Sequence, residues 1–509
     1  VRATQSVAKN TFLLTLGLFT GRILALFVIR KMTPLLGPEG LGIWALATDL
    51  TMILLTVANF GLNALITREI TKARAMTGAI LWAALRLRWL LGLVCYVFLV
   101  GYLIASGYGA LTRAAVLITG LAIFVEASAM ACDAVLQAHE RFEYQTFGQV
   151  ASAVVYFALA WWWLDAGYGV MGVVWANLVS RVARLVFTVP LMLWKTGPWR
   201  WRRSAVGLQP GLVWMLRLGL PLFLATTFGI LSFKIDTVML SNMQGAAATG
   251  IYSLGHKALD FLLYLPSIFA TALFPALARY NVADPADAAR LGERGLRFMM
   301  AGMLPLTFLV MATAPAIIGW FDPSHRFEDA VPVLRIVVWG TAFQSANLVL
   351  NRLLLIAERE RTFVSIGLAA LAVNLSLNSV LIPRYSYFGA AAATLCSLST
   401  STALHLRYIW STSLRPPVGR SLLGPALALA LAWGATYGLV KLLGGIPPAT
   451  ALPLTSGWGP FLAVLAAAIG FYAAALLGLR IVTPADLALV REAFGRAQTT
   501  NQRTGRTEE

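Results

Sequence analysis

Residues 43–66 read IWALATDLTMILLTVANFGLNALI, and the character of this stretch decides the fold. It carries one charge, Asp49, and no proline. A membrane-crossing helix needs about 20 apolar residues, so the run is long enough to span a bilayer with some tilt. Comparable runs lie at about 11–30, 85–105, 114–133, 147–165 and 170–194. After a basic stretch from Lys195 to Gln209, six more follow at about 214–240, 250–277, 297–320, 333–356, 363–382 and 388–410. Two last runs, at about 421–443 and 458–480, bring the expected number of spans to about 14.

The whole composition agrees with this reading. Of 509 residues, 59% are hydrophobic and only 12% charged, with a mean hydropathy of +0.74. About a quarter of an ordinary soluble domain is charged, so a water-soluble enzyme is excluded. Little chain is left for a catalytic domain outside the membrane, and residues 444–457, the longest candidate outer loop, contain no charge. The net charge of +18 would suggest nucleic acid in a soluble chain, but here it is read loop by loop. One set of alternate loops holds Arg68, Lys72, Arg74, Arg141, Lys195, Arg200, Arg279, Arg290, Arg359, Arg415 and others, whereas the opposite set holds only Lys31, Arg113, Arg326 and Arg384. Basic short loops stay inside, so both termini are expected in the cytoplasm and no nucleic-acid partner is implied. The first run is interrupted by Arg22 and ends without a small-residue cleavage site, so it is expected to remain as a helix.

Recognisable enzymatic motifs are missing. Cys95, Cys132 and Cys396 lie far apart inside apolar runs, His139, His256, His325 and His405 are equally scattered along the chain, and no spacing suits a metal. Gly167-Tyr168-Gly169-Val170-Met171-Gly172 spells GxGxxG but follows no strand, so nucleotide binding is not expected. No metal site and no cofactor are read from the sequence.

An internal repeat organises the spans. Displaced by 208 positions, the stretch from Gly37 to Leu46 aligns with that from Gly245 to Leu254, and a similar offset brings Gly172, Ala176, Leu178 and Ser180 over Gly389, Ala393, Leu395 and Ser397. Each half then begins on the same side, because six spans are an even number. The halves are therefore parallel repeats, an arrangement found in transporters.

Several stretches carry a family resemblance. Lys9-Asn10, Leu36-Gly37-Pro38-Glu39-Gly40-Leu41-Gly42-Ile43-Trp44, Asn59-Phe60-Gly61-Leu62-Asn63 and Arg68 resemble the amino-terminal signature of polysaccharide-repeat-unit flippases of the multidrug/oligosaccharidyl-lipid/polysaccharide exporter superfamily. Ile235-Asp236-Thr237, Gly250-Ile251-Tyr252, Phe274-Pro275-Ala276-Leu277 and the stretch from Leu136 to Phe142 are similar to later parts of that family. The resemblance spans about residues 9–410 and implies an all-α polytopic membrane protein with two parallel six-helix lobes around a central cavity, plus two C-terminal helices. The expected division is an N-lobe at 1–194, a cytoplasmic basic linker at 195–213, a C-lobe at 214–410, the last two helices within 411–480 and a cytoplasmic tail at 481–509. The implied activity is translocation of undecaprenyl-pyrophosphate-linked oligosaccharide to the outer leaflet of a bacterial inner membrane. Implied partners are that lipid, membrane lipids and other polysaccharide assembly proteins, with the carrier itself a monomer. An ion-coupled multidrug exporter of the same fold is the competing expectation.

Charges inside the spans then become the candidate site, because a charge at mid-bilayer costs about 2.5 to 3.5 kcal/mol on insertion scales and needs a partner, a wet cavity or a task. A pyrophosphate is a compact polyanion that suits the planar fork of arginine and the point charge of lysine. Arg22, Lys234, Lys257 and Arg352 are the candidate headgroup contacts. Asp49, Asp236 and Asp260 are candidates for coupling to a proton or sodium ion, or for holding those cations in place. Pairing of Lys257 with Asp260 at i, i+3 is the plainer alternative. Gln344, Asn347 and Asn351 share a helix face whose amides suit sugar hydroxyls. Asn374 with Asn378, and Thr394, Ser397, Ser401 and His405, form further polar stripes that fit hydrogen bonding between helices equally well. Glu126 and Asp133 are expected to pair with Arg181 and Arg184 across the first half, with Arg181 a headgroup contact instead if either face is wet.

Overall fold

The computed structural model describes residues 2–196, 211–412, 414, 418–442, 458–479 and 481. Most of the expected linker, the uncharged loop at 444–457 and nearly all of the expected tail lie outside the described residues. Among the described residues helices account for almost everything and no strand occurs. In chain order they are α1 (Arg2–Asn59), α2 (Leu62–Lys72), α3 (Thr77–Ala105), α4 (Ala110–Ala138), α5 (Phe142–Asp165), α6 (Gly169–Thr196), α7 (Leu212–Leu262) and α8 (Tyr264–Ala283). They continue as α9 (Pro285–Ala312), α10 (Ala314–Phe321), α11 (Ala330–Val337), α12 (Gly340–Ile356), α13 (Glu360–Ile409), α14 (Val418–Leu442) and α15 (Trp458–Gly478).

Among the described residues, nine helical stretches are long and apolar enough to cross a membrane. Phe19–Lys72, Thr226–Ala278 and Thr362–Ile409 contain 54, 53 and 48 residues. A straight helix of 54 residues would be about 80 Å long, against about 30 Å of hydrocarbon, so such stretches must be divided. Each contains a residue at positive φ: Gly37 at 64°, Gly245 at 86° and Ser386 at 50°. Gly37 and Gly245 have ψ of −174° and −178°, a region in which a side chain is badly crowded. They are also the first aligned residues of the 208-residue repeat, so the two glycines supply the same break in each half.

The repeat mates meet one another. A Cβ added at Gly42 would lie 1.8 Å from the Ala246 carbonyl oxygen, and one at Gly250 would lie 1.9 Å from that of Pro38. Gly42 is the counterpart of Gly250, and Pro38 of Ala246, so the contact is reciprocal, as at an interface with two-fold symmetry. Beside it, Pro38 has no N–H to offer the Pro34 carbonyl four residues back. Arg326 donates a guanidinium N–H to that carbonyl instead.

The chain divides into two compact units. One comprises residues 1–262, 314–340 and 359–404, and the other 263–313, 341–358 and 405–509. In the first, Leu46, Leu50, Leu54, Cys95, Leu99, Val116 and Ile123 form one apolar cluster, and Leu62, Ile66, Leu87, Val135, Leu136 and Met215 form another. In the second, α9, α14 and α15 surround a cavity of about 440 Å³ lined by Pro305, Phe308, Leu429, Trp433, Ile469 and Tyr472.

Candidate functional site

Three helical segments of the first unit carry the central charges: Trp44 and Asp49 follow the break in α1, Lys234, Asp236 and Thr237 precede the break in α7, and His256, Lys257 and Asp260 follow it. Lys234 Nζ lies 3.4 Å from Asp49 Oδ1 and 3.4 Å from Asp260 Oδ2. Thr237 donates to Asp49 Oδ2 at 2.8 Å, and His256 Nδ1 is 3.6 Å from Asp260 Oδ1. The bridging ammonium is therefore enclosed by two carboxylates, which offsets part of its desolvation.

Lys257 is held differently. Its Nζ is 3.9 Å from Asp260 Oδ2, at the limit of an ion pair, and sits over the Trp44 ring at 5.1 Å. Arg22 lies within electrostatic reach of it. Arg22, Lys234 and Lys257 together outnumber Asp49 and Asp260, so the lysine, arginine and aspartate side chains of the cluster sum to a net positive charge. The structure brings Asp49, Lys234, Lys257 and Asp260 into one site, with the exposed Arg22 within electrostatic reach of Lys257.

Asp236 belongs to a separate hub. It is fully buried and accepts hydrogen bonds from Tyr252 at 3.0 Å, Thr394 at 2.5 Å and Asn378 Nδ2 at 2.5 Å. Asn378 also donates to Asn374 Oδ1 at 3.0 Å. The polar stripes expected of residues 374, 378 and 394 thus converge on an acid 138 to 158 positions away. The donors to the carboxylate are uncharged. Asn378 Oδ1 and Asn374 Nδ2 are buried with no hydrogen-bond partner, leaving the hub capacity for another polar group.

A third polar group ties α3, α4 and α6 together. Arg184 bonds both Glu126 and Asp133, and Arg181 Nη1 reaches Glu126 at 3.3 Å, the pairing expected across the first half. The sequence reading missed Arg88. This fully buried side chain donates to Ala127 O at 2.8 Å, Asn59 Oδ1 at 2.6 Å and Asn63 Oδ1 at 2.5 Å. Its position three residues into an apolar run made it look like a flank; the two asparagines around Phe60 and Gly61, both at positive φ, were the available signal.

The remaining candidates lie in the second unit. Arg352 stacks over Phe274 at 5.6 Å, and Asn351 Oδ1 is 3.4 Å from His405 Nε2. Asn347 is buried with both amide atoms lacking a partner, and Gln344 is half-buried. Ser397 bonds the Ala370 carbonyl at 2.8 Å in the first unit, the plain interhelical role. Among the described residues no cluster of three or more histidine, cysteine or acidic side chains could hold a metal.

Comparison with known proteins places this geometry in context. A family model described as polysaccharide biosynthesis protein matches residues 7–281, more than half of the chain, and the MatE model matches residues 221–380. The probable flippase AglR of Haloferax volcanii is 29% identical over 178 residues, which are 34% of this chain and 37% of that protein. The aligned region thus spans little more than a third of the relative. Among solved structures, lipid II flippase MurJ in an inward closed conformation shares 15% identity with a TM-score of 0.72, covering 91% of this chain and 98% of that one. An inward-facing multidrug resistance MATE family transporter shares 15% identity with a TM-score of 0.62, covering 76% of this chain and 93% of that one. The fold is that of these all-helical transporters, and the chain is a multi-pass membrane protein.

Proposed function

The chain belongs to the polysaccharide biosynthesis protein family, and from that premise we propose that it carries undecaprenyl-pyrophosphate-linked oligosaccharide repeat units from the cytoplasmic to the outer leaflet of a bacterial inner membrane. The observation that carries this reading is the net cationic cluster of Arg22, Lys234 and Lys257 about Asp49 and Asp260 among the helices of the first unit. Its occupant is an anion. Lys234 is tied down by two carboxylates and keeps the site assembled, whereas Lys257, loosely paired and flanked by Arg22, is the ammonium with charge to spare. A diphosphate would dock there while its prenyl tail stays in lipid. The fold and family of the chain, and its likeness to proteins titled flippases, support the reading.

Two lobes, residues 1–194 and 214–410, alternate in exposing the cavity to each side, with both termini cytoplasmic. The negative cell interior favours outward movement of an anion by about 2.3 kcal/mol per charge per 100 mV, so no nucleotide hydrolysis is required and the protein acts as a carrier rather than an enzyme. Asp236 is the foremost position for a coupling ion: its hub offers carboxylate, hydroxyl and amide oxygens, which suit sodium, and a buried carboxylate without a cationic donor also suits a proton. Asp49 and Asp260 serve first as counter-ions to Lys234. Arg352, Gln344, Asn347 and Asn351 are assigned to the glycan and headgroup on the C-lobe side. The carrier works as a monomer beside other polysaccharide assembly proteins.

The test is flipping of fluorescent polyprenyl-pyrophosphate sugar in proteoliposomes. Lys257→Ala, alone or with Arg22→Ala, is expected to abolish flipping while leaving membrane insertion and thermal unfolding unchanged. Full transport by the double variant would reject the cationic site. The MatE match keeps multidrug export as a second reading; protection of cells from cationic dyes, with surface glycan unaffected by deletion, would favour it.

A further inference from the structure

A loop of the first unit ties two helix breaks together, and the headgroup reading gives it no role. Residues 322–329 join α10 to α11. Asp322 is 1% exposed and shapes the loop from within: it accepts from the backbone N–H of Ser324 at 3.2 Å and of Phe327 at 2.9 Å, and from the Ser324 hydroxyl. Phe327 is itself fully buried. At the far end Asp329 accepts from the Tyr387 hydroxyl at 2.9 Å, which fixes the loop to α13 of its own half.

Arg326 reaches from this mount to the other half. Its guanidinium donates to the Pro34 carbonyl, to which Pro38 can offer no N–H, and Nη1 lies 3.0 Å from where a Cβ on Gly37 would be. One turn earlier on α1, Arg30 stacks over Trp320 at 4.6 Å, and Phe27 meets the same ring edge-on at 6.1 Å. Since α1 begins the first half of the repeat and the loop belongs to the second, these contacts join parts that must separate when this side opens. Arg326 is exposed, so water can replace its carbonyl partner at little cost, unlike the buried pairings of Arg88 and Arg184.

Both tying side chains follow a residue at positive φ. His325 at 58° precedes Arg326, and Ser386 at 50° precedes Tyr387. Such backbone is costly and persists only where its surroundings enforce it, as in switch segments. With the termini cytoplasmic, as proposed, this face is the outer one.

We propose that the 322–329 loop is an outer latch: Arg326 holds the break of α1 while the outer side is closed and releases it at each outward opening. The latch rests on the alternating-access part of the proposed function and not on the cargo. It makes Arg326 a gating residue, with Tyr387 bracing its mount.

The experiment uses full-length protein in sealed membrane vesicles of either orientation, carrying Ser253→Cys in a background lacking Cys95, Cys132 and Cys396. Ser253 is 4% exposed and lies on the face of α7 between Gly250 at the crossing and Lys257 at the cationic cluster, so a membrane-impermeant maleimide reaches it from outside only during outward opening. Arg326→Ala is expected to speed labelling from the outer side about three- to tenfold, the value of one hydrogen bond, with labelling from the cytoplasmic side no faster. Tyr387→Phe, which loosens the mount without touching Arg326, should act in the same direction. Ser386→Gly relieves the positive-φ backbone of the closed latch and should slow outer labelling instead. Outer labelling that stays unchanged or absent in Arg326→Ala overturns the latch, as does equal acceleration from both sides or acceleration by Ser386→Gly. If Arg326→Ala does not reach the membrane, Tyr387→Phe decides by the same criterion. No lipid substrate is added, so a failed flipping assay would sink the cargo reading while leaving this result standing.

Discussion

The crossing at Gly42 and Gly250 permits the sharpest test. A methyl group at Gly42 would sit 1.8 Å from the Ala246 carbonyl oxygen, whereas ordinary contact begins near 3.4 Å, so the two segments must part by about 1.6 Å. The obstacle is backbone, which cannot turn aside as a side chain would. Overpacking of this kind costs about 1 to 3 kcal/mol. That shifts the balance against conformers with the crossing closed by about 5- to 160-fold. Gly250→Ala should do the same through the Pro38 carbonyl. Because one separation relieves both clashes, Gly42→Ala and Gly250→Ala together should cost little more than either alone, a coupling well beyond the 0.3–0.5 kcal/mol seen for independent sites. The assay is disulfide trapping between cysteines at Glu39 and Ala247, repeat mates that flank the crossing, in a background lacking Cys95, Cys132 and Cys396. Slower trapping in either alanine variant, with no further loss in the double variant, is expected. Wild-type trapping rates in the single variants, or strictly additive losses, would refute the argument.

Other outcomes follow from the polar groups. Arg184→Ala leaves Glu126 and Asp133 buried without their shared partner and should destabilise the protein by about 3 to 5 kcal/mol, read as a lowered Tm in detergent and substantially recovered by adding E126Q and D133N. Arg88→Met strands the Asn59 and Asn63 oxygens and should destabilise the protein by about 1 to 3 kcal/mol per unpaired group, again read as a lowered Tm. Lys234→Ala should lower Tm where Lys257→Ala does not, since it alone bridges Asp49 and Asp260. Asp236→Asn keeps the size of the side chain while removing its charge. Transport by this variant should become insensitive to imposed sodium or pH gradients, and unchanged ion dependence would move the coupling site elsewhere.

Much of this protein is written in local pattern. Spans, their spacing and the breaks at Gly37 and Gly245 follow from hydropathy and from a repeat whose glycines no other residue replaces without strain. That charges such as Lys234 and Asp236 are purposeful also follows from sequence, because hydrocarbon penalises every unpaired charge. The pairing of Glu126 and Asp133 with Arg184 was readable for the same reason: adjacent helices of one half had matching acids and bases. What tertiary structure alone decided is which partner each charge takes. Lys234 ignores the nearby Asp236 and bridges Asp49 and Asp260, while Asp236, two residues away and on another face of α7, turns to Asn378, Thr394 and Tyr252. The proximity of Trp44 and Tyr156 is likewise invisible in the chain, since nothing local distinguishes them from lipid-facing aromatics. Hydropathy is a property of a residue and its neighbours in sequence; partnership depends on how far each helix is rotated about its axis, and that rotation is set by packing against helices hundreds of positions away.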